Sequence, residues 1–297
     1  MINITFLGTS SMIPTEERNH SSIFMSYKNE GILIDCGEGT QRQLRIAKIK
    51  PSKITKLLIT HWHGDHVLGI PGLIQNLGAH NYSRTLDIYG PKNSKKYIKN
   101  MFAGIELKNV IKFNVHEISK GVFLKNQDFV LECIPLNHNI PCLGYCFRES
   151  DKRKINLNYL KKFGLKQDPL LGKLQKGKSI TYKGNKISAS KGTILVKGIK
   201  ITVIMDTAPT KNIEKLARNS DLLITEATWG KELEYFVEDR KHLTAEIAAK
   251  IAKKSKVKKL ILTHFSQRYK SLENLEKEAR KVFKNTLVAK DFMEVQV

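Results

Sequence analysis

Residues 57–68 of the chain read LLITHWHGDHVL. Three imidazoles and one carboxylate follow the apolar start of this stretch: His61, His63, Asp65 and His66. Side chains of this kind at this density would pack poorly in a core, but imidazole nitrogens and carboxylate oxygens are ligands that Zn²⁺ prefers. The stretch therefore predicts a metal site at the end of a buried strand.

The composition indicates a globular protein with a strongly basic surface. The 297 residues are 41% hydrophobic, which is enough for a buried core. Lys and Arg number 51 against 28 Asp and Glu, a formal net charge of +23. Such an excess favours a polyanionic partner, such as nucleic acid or an anionic membrane surface. A thermophile composition rich in lysine is the alternative, but it explains the excess less well because Glu does not keep pace with Lys.

No segment has the pattern of a membrane span or a signal peptide. No apolar run approaches the length that crosses a bilayer, and the N-terminal residues MINI begin as a strand. We therefore expect a soluble, cytoplasmic protein without a membrane partner. Four cysteines without a C-x-x-C pair are expected to be reduced core residues: Cys36, Cys133, Cys142 and Cys146.

Strand-like and helix-like segments alternate on both sides of the metal motif, which predicts an α/β fold. The pattern predicts strands over residues 54–60, 129–136, 194–196, 199–205, 222–225 and 260–262, and those at 194–196 and 199–205 are expected to belong to the buried core. It predicts helices over residues 40–48, 94–102, 243–254 and 271–283.

The composition changes between residues 151 and 191. This segment has twelve Lys or Arg, two Asp and four Gly, a net charge of +10 with few apolar residues. Such a pattern indicates an excursion from the domain core rather than part of it. The lysines could form a solvated face, but twelve against two would repel one another without an anionic partner.

Three more metal-ligand types occur downstream, each just beyond an apolar strand: His138, Asp206 and His264. The two histidines at 61 and 63 can face one point from an extended backbone, while Asp65 and His66 can face a second point nearby. One loop can therefore serve two metals. A lone histidine after a strand is more often structural, but the recurrence beside a dense motif favours ligation.

The His-x-His-x-Asp-His pattern with its later donors resembles the metallo-β-lactamase superfamily. The resemblance implies a four-layer αββα sandwich with two zinc ions at one edge of the sheets. It implies that His61, His63 and His138 hold one zinc, that Asp65, His66 and His264 hold the other, and that Asp206 bridges them. Asp35 matches an aspartate at a strand end that supports a metal ligand.

Finer matches along nearly the whole chain resemble the ribonuclease Z family, the endonuclease that removes the 3′ trailer from precursor tRNA. The segments are GTS at 8–10, PT at 14–15 with Arg18, DCGEGTQ at 35–41, IP at 140–141, LGY at 143–145, EAT at 226–228, HLTA at 242–245, HFS at 264–266 and RY at 268–269. The resemblance implies a precursor tRNA substrate and a homodimer with two zinc ions per subunit.

In that family the basic segment corresponds to a flexible arm that grips the body of the tRNA. Residues 170–175, LLGKLQ, resemble the arm's motif, and Lys173 is the substrate-binding residue implied there. The chain departs from the family pattern just before this motif, where Asp168-Pro169 stands in place of Gly-Pro. The resemblance thus implies one domain over residues 1–297 with an inserted arm at 151–191.

The resemblance also implies a mechanism. Two zinc ions lower the pKa of a bridging water, and Asp65 orients or deprotonates this nucleophile. His242, oriented by Glu226, protonates the leaving 3′ oxygen, and Arg268 clamps a phosphate. The expected products are a tRNA 3′-hydroxyl and a trailer 5′-phosphate.

Simpler interpretations of these residues remain open at this point. Glu226 could be an ordinary loop carboxylate, His242 a residue at a helix N-terminus, and Arg268 the partner of a nearby acid. Two other functions also remain: a small-ester or thioester hydrolase of the same superfamily, and a non-catalytic nucleic-acid-binding protein. The hydrolase would not need the basic segment, and the full ligand set argues against the binding protein.

Overall fold

A computed structural model describes residues 1–106 and 110–297 of the chain. The chain forms two compact units. The first comprises Met1–Leu124, Leu131–Phe147 and Lys200–Val297, and the second comprises Lys125–Val130 and Arg148–Ile199. Among the described residues, no helix combines the length and the apolar character needed to cross a bilayer.

One seven-stranded sheet is built mainly from the N-terminal half of the chain. Its strands are β1 (Ile2–Gly8), β2 (Ser22–Tyr27), β3 (Glu30–Ile34), β4 (Lys56–Leu58), β5 (Leu86–Gly90), β6 (Phe113–Glu117) and the C-terminal β18 (Glu294–Gln296). They lie in the order β18-β1-β2-β3-β4-β5-β6. The strands from β18 to β3 pair antiparallel, and those from β3 to β6 pair parallel.

A second seven-stranded sheet comes mainly from the C-terminal half. Its strands are β7 (Gly121–Lys125), β8 (Phe129–Pro135), β9 (Leu143–Glu149), β14 (Lys200–Ile204), β15 (Leu222–Glu226), β16 (Lys259–Thr263) and β17 (Thr286–Val288). They lie in the order β17-β16-β15-β14-β9-β8-β7, with β14 to β17 parallel. The sequence pattern did not predict β7.

Helices cover the two sheets. The first sheet packs with α1 (Thr40–Ile46), α3 (Ile70–Ala79) and α4 (Ser94–Ala103), which contribute Leu44, Leu73 and Ile98 to one apolar core. The second packs with α8 (Lys211–Ala217), α10 (Ala245–Lys254) and α11 (Glu273–Val282), which contribute Ile213, Ala248 and Leu275 to another. The short helices of the first unit are α2 (Gly64–Val67), α9 (Val237–Arg240) and the 3₁₀ turns Pro51–Lys53 and Lys231–Phe236.

Helix α10 illustrates why the predicted helices form. Thr244 caps its N-terminus by accepting a hydrogen bond of 3.2 Å from the Ile247 backbone N–H. Ala248 and Ala252 lie on the buried face, and lysines occupy the last turn, where they complement the helix dipole.

The two sheets contact each other directly. The Tyr145 hydroxyl donates to the Ile59 carbonyl at 2.6 Å, and the rings of Tyr27 and Phe147 lie 5.3 Å apart in an edge-to-face arrangement. With helices on their other faces, these contacts give the αββα sandwich that the metallo-β-lactamase resemblance implied.

The strand ends determine where the site lies. Six site residues follow or end strands β3, β4, β8, β14, β15 and β16: Asp35, His61, His138, Asp206, Glu226 and His264. Because the strands that carry most of these residues run parallel within their sheets, their carboxyl ends meet at one edge. The sandwich therefore assembles the site from segments far apart in sequence.

The second unit contains the whole of the predicted basic segment. Its strands are β10 (Lys152–Ile155), β11 (Ile180–Tyr182), β12 (Asn185–Ile187) and β13 (Thr193–Val196). Its helices are α5 (Leu157–Leu160), α6 (Leu170–Gln175), α7 (Ala189–Gly192) and the 3₁₀ turn Lys161–Phe163. Strand β10 pairs antiparallel with β13, and β11 pairs antiparallel with β12.

This unit has an apolar core of its own, although its sequence is poor in apolar residues. The core consists of Leu160, Leu165, Leu174, Ile180, Ile187 and Ala189. Residues 194–196, predicted as a core strand, instead pair with β10 and are 37% to 56% exposed, so that prediction of burial was wrong. Their apolar character indicated a strand but not which sheet the strand joins.

The turn before α6 does not use the conformation that glycine favours. The backbone φ of Asp168 is not positive. Its side chain instead accepts a hydrogen bond of 2.8 Å from the Leu170 backbone N–H. Asp168 thus satisfies a free N–H at the start of the helix, which explains how aspartate is accommodated there.

Candidate active site

The loop after β4 carries four of the predicted ligands. His61 is fully buried, His63 is half-buried in an extended conformation, and α2 begins immediately afterwards at Gly64. This change from extended to helical backbone lets Asp65 and His66 face a second position, while the rings of His61 and His66 stay 4.1 Å apart. One short loop thus supplies donors to two adjacent positions.

Three imidazole nitrogens converge at the first position. Nδ1 of His63 lies 3.1 Å from Nε2 of His61 and 3.2 Å from Nε2 of His138. A carboxylate oxygen of Asp206 lies 3.7 Å from Nε2 of His61. These four residues form one candidate group for a metal ion.

Two aspartates and two histidines converge at the second position. Nε2 of His264 lies 3.1 Å from one carboxylate oxygen of Asp206 and 3.6 Å from an oxygen of Asp65. Nε2 of His66 lies 3.4 Å and 3.3 Å from the same two oxygens. Asp206 contributes Oδ2 to the first position and Oδ1 to the second, so it lies between them.

The donor atoms at these positions fit a divalent cation. In the part of the chain that the structure describes, three buried polar atoms at these positions have no hydrogen-bond partner: Nε2 of His66, Nε2 of His264 and Oδ1 of Asp206. A buried polar atom without a partner costs free energy, and a cation at this point would satisfy all three. The clusters therefore suit divalent metal, which agrees with the prediction of a metal site.

Thr60 and Asp35 orient two of these histidines through their Nδ1 atoms. Thr60 donates its hydroxyl hydrogen to Asp35 at 2.8 Å and lies 3.1 Å from Nδ1 of His61, so it accepts from that nitrogen. Nδ1 of His66 donates to Asp35 at 2.7 Å. Such contacts select the tautomer that leaves Nε2 free for a metal.

Thr228 orients His264 through its Nδ1 in the same way. Its hydroxyl donates to Glu226 at 2.6 Å and lies 2.9 Å from Nδ1 of His264. Because the hydroxyl has a single hydrogen, it accepts the hydrogen bond from His264. The free Nε2 of His264 consequently faces Asp65 and Asp206.

Two of these residues have an unusual backbone. Asp35 has φ of 56° and His264 has φ of 60°, both in the left-handed region. Side chains other than glycine adopt this region at a cost, and such residues cluster at functional sites. The conformation turns each side chain toward the ligand group at the end of its strand.

His242 and Glu226 lie beside the second metal position. Nδ1 of His242 is 3.1 Å from Oε2 of Glu226, and Glu226 also accepts from the Thr207 backbone N–H at 2.7 Å. Burial opposes a charge on His242, but the carboxylates of Glu226 and Asp206 outweigh it and raise its pKa to about 9. Glu226 and His242 thus form a hydrogen-bonded pair, with His242 just before the N-terminus of α10, and their catalytic roles stay a prediction.

The electrostatic surroundings of His61 and Asp206 favour the forms of these two side chains that bind metal. Burial, reinforced by His66, holds the pKa of His61 well below its ordinary value, so that the ring is neutral. Burial alone would raise the pKa of Asp206, but the imidazoles of His264 and His66 hold it well below its usual range. Neutral imidazole and ionised carboxylate are the forms that bind metal.

Arg268, the predicted phosphate-binding residue, lines the cleft. Its guanidinium lies 5.0 Å from the centre of the Trp229 ring, and its Nε donates to the Ser266 hydroxyl at 3.2 Å. Among the described residues no acid lies within ion-pair distance of it. Lys173, the other predicted phosphate ligand, is exposed on α6 of the second unit.

Side chains of both candidate metal groups, together with His242 and Arg268, line a cavity of about 380 Å³. Its lining includes residues that the sequence did not point to: Met12, Trp229, Phe236 and Arg240. Thr60 and Thr228 were missed as positioning residues as well. The one available signal was their place directly after a strand, beside a predicted ligand or catalytic residue.

Comparisons with known proteins identify relatives of this chain. A family described as anti-Pycsar protein Apyc1 matches residues 2–155. A curated ribonuclease Z of Methanothermobacter thermautotrophicus is 40% identical over 299 residues, which cover all of this chain and 97% of the relative. A ribonuclease Z of Archaeoglobus fulgidus is 38% identical, covering all of this chain and 98% of the relative.

Solved structures have the same fold. Human tRNase Z, short form, superimposes with a TM-score of 0.73 at 27% identity, covering 99% of this chain and 98% of that one. The metallo-β-lactamase fold protein YhfI of Bacillus subtilis superimposes with a TM-score of 0.70 at 19% identity, covering 99% of this chain and 98% of that one. The sandwich is therefore a metallo-β-lactamase fold.

Proposed function

The chain belongs to the ribonuclease Z family, and on that premise we propose that it is an endoribonuclease that removes the 3′ trailer from precursor tRNA. The observation that carries the proposal is the convergence of seven donor side chains beside the His242–Glu226 pair. A metal-dependent phosphodiesterase needs both components, since one activates water and the other protonates the leaving oxygen.

The metal ligands of the proposed enzyme fall into two sets. His61, His63 and His138 would hold one ion, Asp65, His66 and His264 the other, and Asp206 would bridge them. We propose that both ions are zinc, because the first set is dominated by imidazole, which suits zinc. When bound, such a pair acidifies a water molecule and offsets the charge of the phosphoryl transition state.

The chain's own residues carry out the proton transfers. The carboxylate of Asp65 lines the cleft, where it orients the attacking water and accepts its proton. The water oxygen bonds to phosphorus as the bond from phosphorus to the 3′ oxygen breaks. The products are therefore a tRNA 3′-hydroxyl and a trailer 5′-phosphate.

The leaving 3′ oxygen requires a proton, and His242 supplies it. Glu226 holds Nδ1 of His242, so Nε2 is the ring nitrogen left to donate into the cleft. Glu226 is itself fixed by the Thr207 backbone N–H and the Thr228 hydroxyl, and this keeps the imidazole in one orientation.

Charge contributes to recognition of the RNA backbone. Arg268 presents a guanidinium at the cleft without an acidic partner among the described residues, which suits it to bind a phosphate near the cleaved bond. The basic segment at 151–191, with Lys173 on its surface, is proposed to bind the body of the tRNA.

Assembly and location also belong to the proposal. We propose the homodimer that the family resemblance implies, and sedimentation of the purified protein tests it. A cytoplasmic location is proposed likewise and is tested by fractionation of the source cells.

The test compares two substrates under the same conditions. The purified protein with Zn²⁺ is incubated with a 3′-extended precursor tRNA and, separately, with a thioester. We expect cleavage of the precursor next to the unpaired base that follows the acceptor stem. Fast turnover of the thioester with an intact precursor would contradict the proposal and favour the hydrolase alternative, whereas binding of precursor without cleavage would favour a binding protein.

A further inference from the structure

An aromatic stack borders the cleft on the side of His242. The rings of Trp229 and Phe236 lie 6.0 Å apart, and the ring of Tyr235 lies 4.3 Å from that of Phe236. Trp229 and Phe236 line the cavity. The inner end of the stack is close to the chemistry, since the Trp229 ring lies 6.0 Å from the ring of His242.

The backbone holds this stack in a fixed position relative to His242. The Trp229 N–H donates to the Leu243 carbonyl at 3.2 Å, and the Trp229 carbonyl accepts from the Ala245 N–H at 2.9 Å. These bonds join the stack to the residues that directly follow His242. Leu233 and Val237, which flank the two outer aromatic residues, are buried and anchor the turn.

Two guanidinium groups accompany the stack. Arg268 lies over the Trp229 ring at 5.0 Å, and Arg240 lies 5.9 Å from the centre of the Phe236 ring. Arg240 pairs with its neighbour Asp239 at 3.1 Å, but both side chains are well exposed, so the pair is weak. The stack therefore combines aromatic faces with positive charge.

The reaction described above uses none of the outer aromatic surface. Tyr235 is 70% exposed, although aromatic side chains ordinarily gain by burial. The indole Nε1 of Trp229 is buried without a hydrogen-bond partner among the described residues. An exposed ring in a row of aromatic residues that leads to a reactive centre indicates a ligand with a flat, apolar face.

We propose that Tyr235, Phe236 and Trp229 form a stacking site for an unpaired base of the RNA substrate, within a nucleotide or two of the cleaved bond. Arg240 binds a phosphate beside that base. A nucleobase fits because every base offers a flat face for stacking and is linked to a phosphate that a guanidinium binds. This inference rests on the proposed function, since it assumes an RNA substrate at the same cleft.

The test measures cleavage of a 3′-extended precursor tRNA by the zinc-loaded protein. Tyr235→Ala is expected to raise KM about tenfold, by loss of base stacking, with a smaller change in kcat. Tyr235→Phe keeps the ring and is expected to restore the KM. Phe292→Ala removes a ring of 36% exposure elsewhere on the first unit and serves as the matched control, with no expected change.

A spectroscopic measurement locates the base. Two precursors carry 2-aminopurine, one at the last nucleotide of the tRNA and one at the first nucleotide of the trailer, and fluorescence is followed in the first turnover. We expect one of them to be quenched by the unaltered protein and less quenched by Tyr235→Ala. Equal quenching by both proteins at both positions would overturn the stacking site.

The failure of this inference is distinguishable from failure of the proposed function. If the unaltered protein does not cleave the precursor, the proposed function fails. If it cleaves and Tyr235→Ala has an unchanged KM, the stacking site alone is overturned. A change in sedimentation of Tyr235→Ala with unchanged KM would show that the stack is a contact between proteins, which also overturns the proposal.

Discussion

Nδ1 of His66 donates a hydrogen bond of 2.7 Å to Oδ2 of Asp35, and both side chains are buried. Asp35 also accepts from the Thr60 backbone N–H and hydroxyl, each at 2.8 Å. The carboxylate is thus held by the loop that it orients. Its effect is to leave Nε2 of His66 free toward Asp65 and Asp206.

Replacing this carboxylate should weaken metal binding without removing a ligand. We expect Asp35→Asn to lower metal affinity roughly 10- to 100-fold, as measured by competition with a chelator, because the amide no longer fixes the tautomer of His66. Asp87 forms a similar contact of 3.1 Å with His116 at the edge of the first sheet, so Asp87→Asn is a matched control. Equal loss in both variants would mean that the effect is on stability.

Asp206 should matter to both metal positions because it contributes one oxygen to each. Elemental analysis of the purified variants measures this directly. We expect Asp206→Ala to lose both ions, whereas His63→Ala, altered at the first position alone, retains one. Two ions bound to Asp206→Ala would show that this carboxylate does not bridge the positions.

Loss of the proton donor should affect turnover more than binding. For His242→Gln we expect kcat on precursor tRNA to fall roughly 10²- to 10⁴-fold, with a nearly unchanged KM and unchanged metal content. Glu226→Gln should also lower kcat. The double variant should lose less than the sum of the two single effects on the activation free energy, because both residues act through one imidazole. The surface histidine variant His80→Gln is the control, and loss of metal from His242→Gln would count against the assigned role.

The basic segment can be removed at a defined point. Ile155 pairs with Thr193 in the β10–β13 ladder, so an Asn-Gly turn can replace residues 156–192, which carry nine lysines and one acidic residue. We expect a higher KM for precursor tRNA and a shallower dependence of log KM on log salt, with retained hydrolysis of a small phosphodiester. If both activities vanish together, the segment is structural rather than a binding element.

The sequence indicated that these side chains would converge, because the segments that carry them follow apolar strands. The ends of β4, β8, β14 and β16 deliver His61, His138, Asp206 and His264 to one edge, as the recurrence indicated. The assignment of these four residues and of His63, Asp65 and His66 as ligands, with Glu226 and His242 in catalysis, stays a prediction that the metal and kinetic measurements test.

Other features depend on tertiary contacts that periodicity does not encode. Asp and His adopt the left-handed backbone more often than most residues, but that preference does not single out Asp35 and His264. Thr60 and Thr228 gain their roles only once the strands meet. The apolar residues of the second unit are too few for a periodic pattern, yet six of them form a core. The aromatic stack at Trp229 was missed because tertiary contacts, and not a sequence period, bring its rings together.

Analysis of the product ends tests the central claim most directly. A 3′-extended precursor tRNA is cleaved by the zinc-loaded protein, and both new termini are identified chemically. The account predicts a 3′-hydroxyl on the tRNA, a 5′-phosphate on an intact trailer, and loss of cleavage on chelation of the metal. A trailer with a 5′-hydroxyl, or cleavage that persists in chelator, would contradict attack by metal-activated water at this cluster.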